Sequence, residues 1–339
     1  MASSDGFDPT GSHDIDFLVS GRRARTGRLL PAQRRAQLHR TFVQRAPEVM
    51  VKVSGGGKTA KHVKAHMDYI TRNGQLEAVN DQGEKVSGKE DVKDLFDSWD
   101  LDASDGQGKK RQAFNIVLSM PAGTDPKGLF KAAQGFAREE FFGQRQYLMV
   151  LHTPDTDPHK NAPPHPHVHL VVKAEGFDGK RLYIRKATLE RWRGAFAEQL
   201  REQGIEANAT PRDLRGQTRK AKKPGVYFAE KRGNSSVLKS KFEEARHELQ
   251  QGEQTPKPWE VAIVNRRRAT VRRLLGAADE LRKGGDAEMA AALERFAKEM
   301  PRPETERHQI KRAIANQVER QRGREASQQP DADRNDKER

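Results

Sequence analysis

The chain contains no cysteine in its 339 residues. That removes disulfides, cysteine-bound zinc and thiol catalysis, and leaves any metal to histidine and carboxylate ligands. Aromatic residues are scarce at 6%, hydrophobic residues reach only 34%, and the mean hydropathy is −0.94. So little apolar material predicts that part of the length is charged helix or disordered. No run of about eighteen apolar residues occurs, so no membrane insertion is expected. The first 30 residues carry Asp, Ser and Arg but no apolar core, unlike a secretory signal, and a soluble cytoplasmic protein is the expectation. Acidic charge is also short, with 48 Asp+Glu against 63 Lys+Arg, a net charge of +15 and a pI near 9.9. Such a cationic excess predicts a polyanionic partner, most often nucleic acid.

Against these absences stands one concentration. Of the 11 histidines, five lie in LHTPDTDPHKNAPPHPHVHLVVK, residues 151–173: His152, His159, His165, His167 and His169. The last three alternate and lead into an apolar tail. On a strand, alternation would place all three on one face. Converging imidazoles suit a metal or phosphate chemistry, whereas the bland reading is a solvated histidine-rich loop.

The surrounding pattern predicts an α+β domain with an antiparallel sheet. Residues 49–53, 114–120, 147–152 and 167–172 read as strands. Residues 60–74 read as a helix with Val63, Met67 and Ile70 on one face and Gly74 as its C-cap. A second helix is expected from a cap at Thr124 or Asp125 through Phe142, and a third over 189–204. The layout is a basic, largely disordered arm (1–46), a central domain (47–215), a basic linker with charged helices (216–320) and a disordered tail (321–339). The helical part carries apolar stripes at Leu274 and Leu275 and at Met289 and Leu293, with Arg266, Arg267, Arg268, Arg272 and Arg273 around the first. No internal repeat is present.

SGGGKT (54–59) invites a phosphate-loop reading, but Lys52 stands where the first glycine of that motif belongs, so a flexible turn is expected instead. His152 ends one strand, and His167 and His169 begin another. If those strands pair, three imidazoles converge with Asp155 and Asp157 close by. That set suits a divalent ion with open positions, and structural zinc is the competing use. Tyr69, on the first helix with Lys64 and Arg72 near it in sequence, reads by periodicity alone as a packing residue. Covalent catalysis is its alternative.

Taken in order, these segments resemble a conjugative relaxase, a mobilisation nuclease of the His-hydrophobic-His superfamily, in the group that includes the T-DNA border endonuclease. MDYITRNG resembles the first motif, with Tyr69 as nucleophile. IVLSMPAGTD (116–125) is similar to the second, whose serine, here Ser119, holds DNA near the cut. HTPDTD…HPHVHLVV resembles the third. The likeness covers roughly residues 48–215, through LREQGIEAN (200–208). It implies His152, His167 and His169 as metal ligands for Mg²⁺ or Mn²⁺, and Asp155 or Asp157 as the acidic partner. His165 and His159 are accessory candidates, and Arg72 and Lys64 join Ser119 in holding DNA. The loop from His152 to His167 is longer than usual for the family. The basic arm is a second departure.

The activity so implied is nicking and rejoining of single-stranded DNA at a plasmid origin of transfer through a 5′-phosphotyrosyl intermediate. Relaxosome accessory proteins and a type IV secretion coupling protein are the implied partners. Three other readings compete. A rolling-circle replication initiator shares the chemistry. A histidine-triad nucleotide hydrolase fits HPHVHLVV but leaves Tyr69 and Ser119 idle. A non-catalytic DNA-binding accessory rests on charge alone.

Overall fold

The computed structural model describes residues 31–101, 110–156, 163–211, 214–215, 222, 224–252 and 255–328. Two compact units result, one of residues 35–210 and the other containing the helices after Pro211.

The first unit is an α+β domain around a six-stranded sheet, antiparallel at every pairing. Its strands are β1 (Met50–Gly55), β2 (Ala78–Asn80), β3 (Lys85–Val86), β4 (Ala113–Ser119), β5 (Tyr147–His152) and β6 (His167–Lys173). Their spatial order is β1-β4-β6-β5-β2-β3. The helices of this unit are α1 (Pro31–Leu38), α2 (Ala60–Ile70), α3 (Gly88–Ser98), α4 (Pro126–Phe141) and α5 (Lys186–Glu202), with a π-helical turn at His39–Val43.

Each face of the sheet is buried beneath its own helices. Ile116, Leu118, Met149, Val168 and Leu170 pack against α4 and α5, where Phe136 meets Phe141, Trp192 and Phe196 edge-on at centroid distances of 6.1–6.2 Å. Each such ring pair adds about 0.5–1.5 kcal/mol beyond the area it buries. Asp125 caps α4, accepting from the backbone N–H groups of Lys127 and Gly128 at 3.2 and 2.8 Å, with Pro126 in the first turn. Trp192 Nε1 donates to Glu140 at 2.8 Å and ties α5 to α4. On the opposite face, Val63, Met67 and Ile70 of α2 and Val92 of α3 pack on Leu148, Val150 and Val171. Residues 148, 150 and 152, like 167, 169 and 171, belong to this second face by alternation.

The expected strands are all present. The helix ends, however, at Thr71 rather than Gly74, in a reversal where Arg72, Asn73 and Gly74 have φ of 53°, 55° and 82°. Gly74 is obligatory there: a Cβ would lie 2.3 Å from the backbone of Gly88, whose N–H donates to Gly74 O at 3.0 Å.

The arm also ends earlier than the composition predicts. Leu38 and Phe42 are buried, and Thr41 and Gln37 hydrogen-bond Asn208 at 3.0 and 3.1 Å. Residues 35–46 therefore belong to the domain. Residues 1–30 and most of the linker at 216–223 lie outside the described residues, as do 329–339 of the tail.

The second unit contains α6 (Pro224–Lys231), α7 (Ser236–Gln250), α8 (Pro258–Lys283), α9 (Ala287–Glu299) and α10 (Glu306–Gln328). Part of the expected tail is thus helical, since α10 runs to Gln328. Leu274, Ala277 and Ala278 of α8 and Met289, Ala290 and Leu293 of α9 are buried, and these two helices pack together. Glu248 and Glu260 are buried with Arg307 hydrogen-bonded to both, at 2.7 and 2.8 Å. Desolvation alone would raise the Glu248 carboxyl. Hydrogen bonds from Arg307, Lys311 and Lys257 outweigh it and pull the group down to about 2.

Candidate active site

Register brings the histidines together. In the β5–β6 ladder His152 stands opposite His167, and Val150 opposite His169. The ring centroids are 5.3 Å apart for His152 and His167, 4.7 Å for His152 and His169, and 5.1 Å for His167 and His169. One ring nitrogen of each lies within 4.8 Å of the others. His152 and His167 are buried, and His169 is partly so.

Two backbone carbonyls orient the set. His152 Nε2 lies 2.7 Å from Ile70 O, and His167 Nδ1 lies 3.2 Å from His165 O. A carbonyl can only accept, so those nitrogens carry the protons, and His152 Nδ1 and His167 Nε2 are the basic atoms. Orientation of a ligand histidine through its second nitrogen is the arrangement metal sites use. The third ring, His169, has a buried Nδ1 with no hydrogen-bond partner. Burial, reinforced by His152, His167, His66 and Arg72, holds this imidazole down to about 3, so it is neutral at physiological pH. Two imidazoles oriented by carbonyls, together with the neutral His169 and its orphaned buried nitrogen, fit a divalent cation.

Tyr69 is connected to this set by its own helix. Thr59 caps α2 by accepting from His62 N–H at 3.2 Å, and the far end of α2 delivers Ile70 O to His152. One residue before that carbonyl, Tyr69 is 49% exposed, so packing does not account for it. Its ring stacks on His66, with centroids 6.2 Å apart and planes at 21°, and His66 in turn meets His169 at 6.3 Å. The Arg72 guanidinium lies 5.0 Å from the centre of the Tyr69 ring, placed there by the left-handed turn. His66 Nε2 is buried and has no hydrogen-bond partner. Sequence reasoning passes over His66, although its i, i+3 spacing from Tyr69 puts both on one flank of a helix.

Other expected residues fall out differently. Ser119 is buried directly across from His167 on β4. Met50, on β1, pairs with Ser119 in turn, so the exposed Met50 and Lys52 continue the same face, a contribution the sequence does not signal. His165 lies in a bend before β6 rather than on the strand, with its ring 6.0 Å from that of His167. Asp155 is exposed on the turn after β5. Lys64 lies five residues from Tyr69, about 140° around the helix. There it pairs with Asp68 at 2.6 Å, away from the tyrosine flank. Asp157 and His159 lie outside the described residues.

Comparison with known proteins gives matches over the same segment. The family model for the MobA/VirD2-like relaxase nuclease domain matches residues 69–205, from the exposed tyrosine to just past α5. The T-DNA border endonuclease VirD2 of Rhizobium radiobacter is 29% identical over 192 residues, which cover 51% of this chain and 43% of that protein. The T-DNA border endonuclease VirD2 of Agrobacterium fabrum is 28% identical over 143 residues, or 38% of this chain and 30% of that protein. The chain thus spans less than half the length of the curated relatives it matches. The segment holding Tyr69, Ser119 and the three histidines thus matches the model of the MobA/VirD2-like relaxase nuclease domain, and over about half its length the chain is similar to VirD2.

Proposed function

We propose that this domain nicks and rejoins single-stranded DNA at a plasmid origin of transfer, using Tyr69 as the nucleophile, and so initiates conjugative transfer. One observation carries the reading. An exposed tyrosine stands between His66 and Arg72 on the helix whose Ile70 carbonyl orients His152 of the three-imidazole set.

In the nicking step Tyr69 Oη gives up its proton and attacks the scissile phosphorus. The new O–P bond forms as the bond to the 3′ oxygen breaks, and that oxygen leaves as a hydroxyl after taking up a proton. A 5′-phosphotyrosyl strand and a free 3′ end result, and the reverse reaction rejoins them. Phosphoester replaces phosphoester, so no nucleotide hydrolysis is required. Arg72, close to the ring that supplies the nucleophile, offers positive charge where negative charge develops. Ser119 and Lys52, on the face shared with the histidines, hold the strand, and Asp155 or Asp157 serves as acid–base partner. A divalent cation, Mg²⁺ or Mn²⁺, on His152, His167 and His169 would supply Lewis-acid polarisation of a phosphate oxygen. Relaxosome accessory proteins and a type IV secretion coupling protein are the partners such a role calls for. In this reading Tyr69 and Ser119 have the work that a histidine-triad hydrolase would leave undone.

The test is incubation of the full chain with an origin-bearing oligonucleotide and Mn²⁺ or Mg²⁺, followed by denaturing electrophoresis. Wild type should give a covalent adduct that chelator abolishes and Tyr69→Phe lacks. An adduct of equal yield from Tyr69→Phe removes Tyr69 from the role.

A further inference from the structure

Several cations of the helical unit pair with acids, but one stretch of α8 carries arginine without any acid. Lys222 and Lys241 bond Glu306, Lys257 and Lys311 bond Glu248, Arg307 bonds Glu248 and Glu260, and Arg282 bonds Glu294. Along α8 no Asp or Glu occurs from Val261 to Ala278, while Arg266, Arg268, Arg272 and Arg273 are all exposed. Arg266, Arg268 and Arg272 make no ion pair among the described residues.

The buried side of α8 is set by Thr270, Leu274, Ala277 and Ala278. Arg268 and Arg272, one turn apart, point away from it, and Arg266 and Arg273, two turns apart, share one flank about 130° further round the helix. Four guanidinium groups therefore occupy about 11 Å of helix axis, at 1.5 Å per residue. Duplex DNA carries a phosphate charge per roughly 1.7 Å of axis, so the two charge densities are of the same order.

From this match we infer that the arginine face of α8 is a second nucleic-acid site, which grips the phosphate backbone of duplex DNA without regard to sequence. The composition of the face favours that partner over a protein. The exposed apolar residues of α8, Trp259 and Val261 at one end of the arginine stretch and Leu275 at the other, form no contiguous apolar centre for a protein partner to bury. A single-stranded partner would call for a run of stacking aromatics, and α8 has one aromatic residue, Trp259, in its first turn. Every cation in the row is arginine, the side chain whose planar fork matches phosphate oxygens in pairs.

The site is independent of the nicking chemistry, so its test uses a duplex without an origin and scores binding only. Fluorescence anisotropy of a labelled random-sequence duplex, titrated with the full chain across a salt series, compares wild type with R266Q/R268Q/R272Q. Glutamine keeps the helix propensity of arginine, and far-UV circular dichroism checks that the helices persist. A control, R320Q/R322Q/R324Q, removes equal charge from exposed positions of α10.

The α8 variant should bind the duplex more than about ten-fold more weakly at low salt. Its log–log salt slope should be shallower by up to about 2.7, which is about 0.9 for each phosphate that an arginine no longer neutralises. The control should stay close to wild type. If the triple variant does not fold, R268Q/R272Q should lose up to about 1.8 of slope. Equal losses in variant and control overturn the site, as does unchanged duplex binding. Displacement of the duplex by single-stranded oligonucleotide or polyglutamate at lower concentration than by unlabelled duplex overturns the choice of partner.

Discussion

His152 and His169 are both expected metal ligands, but the structure gives them unequal structural duties, and that inequality is measurable. His152 donates to Ile70 O at 2.7 Å in a buried setting, so His152→Ala orphans a buried carbonyl at the end of α2 as well as deleting a ring. An unsatisfied buried acceptor costs about 1–3 kcal/mol, and the lost packing adds to it. His169→Ala removes a ring whose buried Nδ1 already lacks a partner, so relief of that desolvation offsets the lost packing. The expected gap in stability between the two variants is about 2 kcal/mol. For a domain of this size that corresponds to roughly 4–8 °C in Tm, with His152→Ala the lower. Thermal unfolding in chelator, followed by tryptophan fluorescence, isolates this unit, because Trp99 and Trp192 are buried in it while Trp259 of the other unit is 57% exposed. Adding Mn²⁺ should raise the Tm of wild type, through preferential binding to the folded state, and of neither variant. Equal Tm values for the two variants in chelator would refute the asymmetry. A Mn²⁺ shift retained by both would refute the ligand set.

Three further outcomes follow from the same geometry. Gly74→Ala, at φ of 82° and with its new carbon against the Gly88 backbone, should destabilise the nuclease unit by about 2 kcal/mol or more, read by the same fluorescence melt. Glu248 has a folded value of about 2, below the ordinary 4.5, so its contribution to the helical unit is complete above about pH 4.5 and is lost as pH falls toward 2. Glu248→Gln should accordingly flatten that acid limb in far-UV circular dichroism. Three nitrogen donors, with no carboxylate in the cluster among the described residues, suit Mn²⁺ better than Mg²⁺, so cleavage titrations should reach half-maximal rate at lower Mn²⁺ than Mg²⁺.

Much of this domain is legible in its sequence because its strands announce themselves. YLMVLH is an uninterrupted apolar run ending in His152, and β5 has those bounds. The Asp125–Pro126 pair marks the start of α4 by capping chemistry alone. The stretch between Gly74 and Ala113 is opaque by comparison. β2 has three residues and β3 two, too short for a period to show, and β2 is defined by its pairing with β5, about 70 residues away. The domain start is hidden for a related reason. Leu38 and Phe42 are isolated apolar residues in an arginine-rich segment, and they acquire a core only when Asn208 arrives to bond Thr41 and Gln37. At the site, order along the chain singles out His152, His167 and His169, which the fold brings together, and Tyr69 on the helix that contacts them. His66 escapes because it lies apart from the dense cluster, and Lys64 misleads because nearness in sequence does not reveal the side of a helix.

The central claim is that Tyr69 is the residue joined to DNA. Proteolysis of the protein–oligonucleotide adduct, nuclease trimming and mass spectrometry of the peptides locate the bond. A phosphonucleotide mass on the peptide at Tyr69, bonded through the 5′ phosphate, is the result predicted; the same mass on a peptide without Tyr69 contradicts it.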